Sequence, residues 1–138
     1  MDEILTRCGF RCDLCPAYDG NLKSFEDRQR ISAGWLKYFG FSIPPEEVGC
    51  VGCWNEGKHA DTQCPVRPCA IERNLENCAY CGEFGCQKLV GRMDAIDGIE
   101  RKFPEMPAAD YELFIQPYKG RERLTPIRER LSRETKGN

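Results

Sequence analysis

Ten cysteines are the residues of this sequence whose type and spacing point to chemistry. Six of them form pairs with two intervening residues, a spacing that lets both sulfurs of a tight turn bind one tetrahedral metal ion at about 2.3 Å. The pairs are Cys12/Cys15, Cys50/Cys53 and Cys78/Cys81, and the remaining cysteines are Cys8, Cys64, Cys69 and Cys86. Because the pair is repeated, we interpret all ten cysteines as candidate metal ligands.

The alternative use of clustered cysteines is a disulfide framework. The first residues, MDEILTRCGF, include acids where a secretory signal peptide needs basic residues, and no apolar run of the required length follows. No stretch approaches the roughly 18 apolar residues of a membrane span. We therefore expect a soluble, cytoplasmic protein whose thiols stay reduced and act as ligands.

The spacing leaves open which cysteines share an ion. Our preferred division gives one site to four consecutive cysteines, Cys50, Cys53, Cys64 and Cys69. A second site then takes Cys78, Cys81 and Cys86 with one or more of Cys8, Cys12 and Cys15. The alternative combines Cys50/Cys53 with Cys78/Cys81. Seven cysteines between positions 50 and 86 cannot complete two four-cysteine sites, so we expect an N-terminal cysteine close to Cys78–Cys86.

The identity of the metal is also open. Zinc, as two ions, is our preferred interpretation, and an iron-sulfur cluster competes for the same ligands. The N-terminal spacing C-x3-C-x2-C is the one by which radical S-adenosylmethionine enzymes hold a cluster. We do not favour such an enzyme, because this chain of 138 residues has neither the strands nor the length of their barrels.

Other residue types add little chemistry to the cysteines. His59, the single histidine, is interpreted as an exposed loop residue rather than a further ligand. Trp54 and Tyr80 adjoin cysteines, where their rings could screen a metal from water. The sequence contains no phosphate-binding glycine loop and no identifiable catalytic triad or acid/base pair, so catalysis is not predicted.

The first element that must position the cysteines is a helix. Ser24 and Asp27 resemble a capping box at its start, and Gly40 is placed to end it in a left-handed conformation. We expect one broad apolar face on this helix. Its members are Phe25, Ala33, Trp35, Leu36 and Phe39.

Two further helices are predicted directly after cysteines, at Ala70–Glu76 and from Gln87 to about Phe103. Cys69 and Cys86 would then lie at helix N-termini, where backbone N–H groups and the dipole stabilise a thiolate. The second of these helices has a regular apolar stripe. Its members are Leu89, Val90, Met93, Ile96, Ile99 and Phe103.

The C-terminal part follows two prolines, Pro104 and Pro107. It is predicted to contain a short helix at Ala108–Gln116 and a last helix that opens at Thr125-Pro126 and ends near Arg133. From Lys119 to Lys136 the sequence has seven basic and three acidic residues, against a net charge of -2 for the whole chain. We interpret this segment as a solvated, salt-bridged helix face, and binding of an anionic partner as the weaker possibility.

These observations predict one small, mainly α, metal-stabilised domain with irregular cysteine knuckles and little β structure. We assign residues 1–103 to a cysteine-rich metal-binding domain. Residues 104–138 are assigned to a helical C-terminal extension packed on it.

Four cysteine blocks carry a resemblance to a known family. They read CGFRCDLCPAY at Cys8–Tyr18, CVGC at Cys50–Cys53, CPVRPCA at Cys64–Ala70 and NCAYCGEFGCQKL at Asn77–Leu89. This order resembles the uncharacterised prokaryotic domain-of-unknown-function family 3795, over about residues 7–90. The resemblance implies a small cysteine-rich, metal-binding protein of the kind common in anaerobes. Gly85 departs from the proline expected before the last cysteine.

The function predicted from the sequence is therefore metal binding, with a structural or interaction role exerted through a protein partner. The first alternative is an iron-sulfur protein for electron transfer or redox sensing. The second, nucleic-acid binding, depends only on the basic C-terminal segment and lacks a recognition helix with interleaved aromatic residues.

Overall fold

Residues 2–136, which the computed structural model describes, form five α-helices joined by turns. The helices are α1 (Phe25–Gly34), α2 (Val66–Glu72), α3 (Gln87–Lys102), α4 (Ala108–Phe114) and α5 (Gly120–Lys136). Short 3-10 turns lie at Asp19–Asn21, Pro45–Glu47, Cys78–Tyr80 and Gln116–Tyr118. In this part of the chain the β pairing consists of two isolated bridges, Leu5–Arg11 and Tyr18–Cys50. The mainly helical fold with little β structure is confirmed, and stabilisation by metal stays a prediction.

The predicted start and end of the first helix are confirmed. The Asp27 backbone N–H donates to Ser24 Oγ at 3.2 Å, and the Ser24 N–H donates to the Asp27 carboxylate at 3.2 Å, which completes the capping box. After Gly34 the chain continues as one π-helical segment, Trp35–Phe39. Gly40 then ends it at φ 77°, a left-handed conformation that glycine adopts without steric cost.

The apolar face predicted for this helix is largely wrong. Phe25 and Leu36 are 53% and 56% exposed, and Ala33 is also exposed. The residues that are buried instead are Ile31, Gly34, Trp35 and Tyr38. Gly34 explains this choice, because a Cβ atom there would lie 2.0 Å from the Phe114 ring. Packing of the Phe114 ring against Gly34 therefore determines which face of the first helix is buried.

Helix α2 begins at Val66, four residues before the predicted start at Ala70. Cys69 therefore lies inside a helix and not at its N-terminus, which corrects our expectation. Helix α3 matches its prediction: Cys86 is the N-cap residue, and the apolar stripe is buried at Leu89, Met93 and Ile96.

Helix α5 begins at Gly120, five residues before the predicted Thr125-Pro126 start, and Pro126 lies inside the helix. Packing explains the earlier start. The backbone of Gly120 lies against Cys8 and Gly9, so that a Cβ atom on Gly120 would be 2.4 Å from the Cys8 carbonyl oxygen. Gly9 itself has φ 90°. The first turn of α5 is thus held against the N-terminal knuckle by a close approach of two backbones.

Apolar side chains from residues after 103 complete the core of the cysteine-rich part. Phe114 packs with Trp35 and Tyr38, and Leu124 packs with Leu89 and Met93. The division at residue 103 stays a prediction, and Met1, Gly137 and Asn138, at the ends of the two assigned segments, lie outside the described residues. Within residues 2–136 no helix has both the length and the apolar character needed to span a bilayer.

Candidate metal centre

The first set of neighbouring thiols, which we call group I, consists of Cys12, Cys15, Cys50 and Cys53. The N-terminal knuckle carries the first pair, and a parallel bridge between Tyr18 and Cys50 brings the second pair beside it. The Cys53 backbone N–H donates to Cys12 Sγ at 3.4 Å. Two pairs that lie far apart in the sequence therefore share one location.

The electrostatics of group I reflect this proximity. The pKa of the Cys12 thiol is raised to about 12, chiefly by burial and also by the charges of Cys15, Cys53 and Cys50, against a backbone hydrogen bond from Cys53 that lowers it. Burial likewise raises the pKa of Cys15. Thiolates that crowd one another are disfavoured because like charges repel. Deprotonation of these thiols would therefore require a compensating positive charge.

The second set, group II, consists of Cys69, Cys78, Cys81 and Cys86. All four line one cleft of about 300 Å³ beside the first turn of α3. Burial raises the pKa of Cys78 to about 12, with further contributions from the charges of Cys8, Cys86, Cys81 and Cys69. Group II thus combines a residue of α2, a 3-10 turn and the N-cap of α3.

The two cysteines outside these groups, Cys8 and Cys64, lie beside Arg92. Cys8 is 5% exposed, and burial raises its pKa, while the Arg92 charge lowers it. Arg92 interacts electrostatically with both sulfurs and forms an ion pair with Asp61 at 2.7 Å. The guanidinium also lies over the Phe10 ring, 4.7 Å from its centroid. Arg92 therefore supplies positive charge to this pair, and Cys8 also lies close enough to group II for its charge to raise the pKa of Cys78.

The structure groups the cysteines differently from both divisions suggested by spacing. Cys50 and Cys53 lie with the N-terminal pair, whereas the preferred division placed them with Cys64 and Cys69. Cys69 lines the group II cleft, and Cys64, which precedes α2, interacts with Cys8 and Arg92. The expected proximity of the N-terminal knuckle to Cys78–Cys86 is confirmed, because the Cys78 N–H donates to the Arg7 carbonyl at 2.8 Å.

All ten cysteines are free thiols. Within residues 2–136, no three Cys, His, Asp or Glu side chains are arranged so that they could hold a metal ion in their present positions. The backbone brings the thiols of each group together, but the sulfurs would have to move to reach a common ion at about 2.3 Å. The ligand roles of the ten cysteines remain predictions.

Arginine side chains supply positive charge around the thiols, a feature that the sequence analysis missed. Arg7 donates to Cys53 Sγ at 3.2 Å and to the Cys53 carbonyl at 2.7 Å. Arg73 donates to Cys81 Sγ at 3.4 Å. A divalent ion on four thiolates has a net negative charge, and hydrogen bonds from charged donors stabilise such anions.

Three buried arginine Nε atoms, those of Arg7, Arg67 and Arg92, have no hydrogen-bond partner. Each of these arginines adjoins a cysteine: Arg7 contacts Cys53, the Arg67 backbone N–H donates to Cys64 Sγ at 3.4 Å, and Arg92 faces Cys8. Unpaired buried donors are rare in proteins, and sulfurs rotated toward a metal could accept from them. Of the three, Arg7 lies beside a group I cysteine and therefore fits an anionic metal-thiolate centre there. Arg7 directly precedes a cysteine block and Arg67 lies within one, so both could have been noticed in the sequence.

The side chains of His59 and Trp54, near the group I thiols, form hydrogen bonds with backbone carbonyl groups. His59 is half-buried rather than exposed, and its Nε2 atom is hydrogen-bonded to the Gly52 carbonyl at 2.9 Å. Trp54 donates its indole N–H to the Leu5 carbonyl at 3.0 Å, and the Arg7 guanidinium lies 4.0 Å from its ring centroid. These contacts hold the loop after Cys53 against the N-terminal segment.

Several basic side chains of the C-terminal segment contact other parts of the protein. Its described partners are acidic residues of α3 and carbonyl groups of the cysteine-rich part. They are Glu100 for Lys119, Asp94 and Asp97 for Arg121, the Gly9 carbonyl for Arg123, and the Ala79 and Cys81 carbonyls for Arg128. The interpretation as a salt-bridged helix agrees with these contacts. The side chain of Lys136 lies outside the described residues.

Comparison with protein families gives one match. The family model described as "Protein of unknown function (DUF3795)" matches residues 4–91, which include all ten cysteines. The chain belongs to this family. The DUF3795 match ends within α3, so α4 and α5 lie outside the matched residues. Searches of curated proteins and of solved structures found no match.

Proposed function

We propose that this protein binds two zinc ions, one on group I and one on group II, and that the ions support a structural or interaction role. The observation that carries the proposal is that the fold brings four thiols together in each group. Group I joins two segments that are distant in sequence, and group II joins a residue of α2, a 3-10 turn and the N-cap of α3. When bound, zinc would cross-link these segments through thiolate bonds. Four protein ligands leave no open coordination position, which is typical of structural rather than catalytic zinc.

The charges around the groups support this proposal. Arg7 lies at group I and Arg73 at group II, each donating to a cysteine sulfur. Trp54 and Tyr80, beside the thiol-bearing turns, are 44% and 40% exposed, and exposed aromatic rings are frequent contacts for protein partners. We therefore propose that a protein partner binds near these turns.

A second candidate, an iron-sulfur cluster, is favoured at group II by one observation. The group II thiols border a cleft of about 300 Å³ that is open to solvent, which offers more room than a single ion needs. Iron-sulfur clusters are held by the same four-thiolate ligand sets. At this position a cluster would serve electron transfer or redox sensing.

The first experiment is anaerobic purification of the full chain, followed by elemental analysis and an absorption spectrum. We expect a colourless protein with about two zinc ions per chain. A brown protein containing iron and sulfide would contradict the zinc proposal and support an iron-sulfur cluster. Failure to retain any metal after reconstitution in reducing buffer would contradict both.

A further inference from the structure

Tyr118 lies outside the family match and contacts a group I thiol. Its hydroxyl oxygen lies 3.1 Å from Cys15 Sγ, although the two residues are 103 positions apart in the sequence. Tyr118 is 8% exposed, so little water competes for this contact. The 3-10 turn Gln116–Tyr118, between α4 and α5, carries the ring to this position.

The direction of this hydrogen bond follows from the charge on the sulfur. Either atom could carry the hydrogen when Cys15 is a neutral thiol. A thiolate, the form that binds a metal, has no hydrogen to give, so Tyr118 then donates and Cys15 Sγ accepts. The Tyr118 hydroxyl is therefore a donor to a candidate metal ligand.

Aromatic packing holds the Tyr118 ring in place. The Phe10 ring centroid is 5.0 Å away in an edge-on arrangement, and the Phe39 centroid is 5.9 Å away. Such contacts restrict the ring and so fix the position of its hydroxyl group. The donor is thus pre-positioned before any ion binds.

We propose that Tyr118 is a positioning residue of the group I metal site, donating its hydroxyl hydrogen to the Cys15 thiolate. This inference depends on the proposed function. Hydrogen bonds from outside the ligand shell orient ligands and tune their charge, and their removal typically costs 10- to 100-fold in metal affinity. The C-terminal segment would then contribute directly to the metal site, beyond packing against the cysteine-rich part.

The test is the substitution Tyr118→Phe in the full chain, with Tyr38→Phe as the matched control. Tyr38 is also buried, and its hydroxyl bonds Asp110 rather than a thiol. Each variant loses one hydroxyl from a buried ring, so the two share any general effect on stability. Competition with a chromophoric zinc chelator measures the affinity of each ion, and Co²⁺ substitution reports the sulfur-to-metal charge-transfer band.

We expect Tyr118→Phe to weaken one of the two ions by about 10- to 100-fold and to shift the charge-transfer band of that ion. The second ion should bind as in wild type, and Tyr38→Phe should leave both unchanged. Equal behaviour of the two variants, or equal weakening of both ions, would overturn the role of Tyr118. A wild-type protein that binds no metal would instead refute the proposed function.

If Tyr118→Phe does not fold, incorporation of 3-fluorotyrosine supplies a second test, because it keeps the ring and makes the hydroxyl a stronger donor. We expect the Co²⁺ charge-transfer band of the same ion to shift. An unchanged band would count against the hydrogen bond from Tyr118.

Discussion

At the scale of single residues, the neighbours of a cysteine indicate its role more clearly than its burial does. Cys12 has Cys15, Cys50 and Cys53 around it, whereas Cys64 has the backbone of Arg67 and the guanidinium of Arg92. Thiolates that lie side by side repel one another, and a shared cation would offset that repulsion, whereas the charge nearest to Cys64 includes the cation Arg92. We therefore assign Cys12 to a metal-binding group and Cys64 to a position outside both groups.

This difference predicts how serine substitutions change the metal content. Cys12→Ser should reduce the bound zinc from about two ions to about one, because three thiolates hold the ion less tightly than four. Cys64→Ser, the matched control outside both groups, should retain about two. Native mass spectrometry of the purified variants gives the stoichiometry directly. Loss of an ion in Cys64→Ser together with full occupancy in Cys12→Ser would reverse the assignment.

At the scale of elements, the contact between α5 and the N-terminal knuckle joins the two ends of the chain. Gly120 and Gly9 approach so closely that a side chain on either would meet backbone atoms. Arg123 of α5 also donates to the Gly9 carbonyl at 3.0 Å. Helix α5 therefore supports the knuckle that carries Cys8, Cys12 and Cys15.

Substitution of Gly120 by alanine tests this support. We expect Gly120→Ala to lower the free energy of unfolding by about 1–3 kcal/mol, because the new methyl group forces backbone shifts. Gly91→Ala is the control: Gly91 lies within α3 with nothing near its Cβ position. Alanine there should stabilise the helix by about 0.5–1 kcal/mol. Urea denaturation of both variants in the same metal state measures the difference, and an unchanged midpoint for Gly120→Ala would argue against a tight contact.

At the scale of the whole molecule, the apolar core and the thiol groups are separate sources of stability. Phe114, Leu89 and Leu124 are almost fully buried among the helices. The segment from Cys50 to Cys64, by contrast, has no helix and mostly exposed side chains. We therefore expect metal to stabilise chiefly this segment and the N-terminal knuckle.

Removal of metal should separate these two contributions. With free zinc at about 1,000 times its dissociation constant, each bound ion adds about 4 kcal/mol to stability, and a strong chelator removes that amount for each ion. We expect a lower melting temperature, new protease cleavage between residues 50 and 64, and far-UV circular dichroism that keeps most of its helical signal. Identical cleavage patterns with and without chelator would contradict the cross-linking role.

The sequence by itself determined the features that depend on a few consecutive residues. Ser24, Asp27 and Gly40 set the limits of the first helical segment, the stripe through Leu89 and Met93 set α3, and the cysteine pairs define turns that can present two sulfurs together. Capping, helical periodicity and turn geometry act within one or two turns of chain, so their signals are readable locally.

Only the tertiary structure decided which distant groups meet. Phe114 selects the buried face of α1, and the approach of Gly9 sets the start of α5. The Tyr18–Cys50 bridge brings Cys50 and Cys53 to the N-terminal pair. Neither division of the cysteines that we drew from their spacing contained this combination. Contacts of this kind depend on the packing of whole elements, and sequence separation carries little information about them.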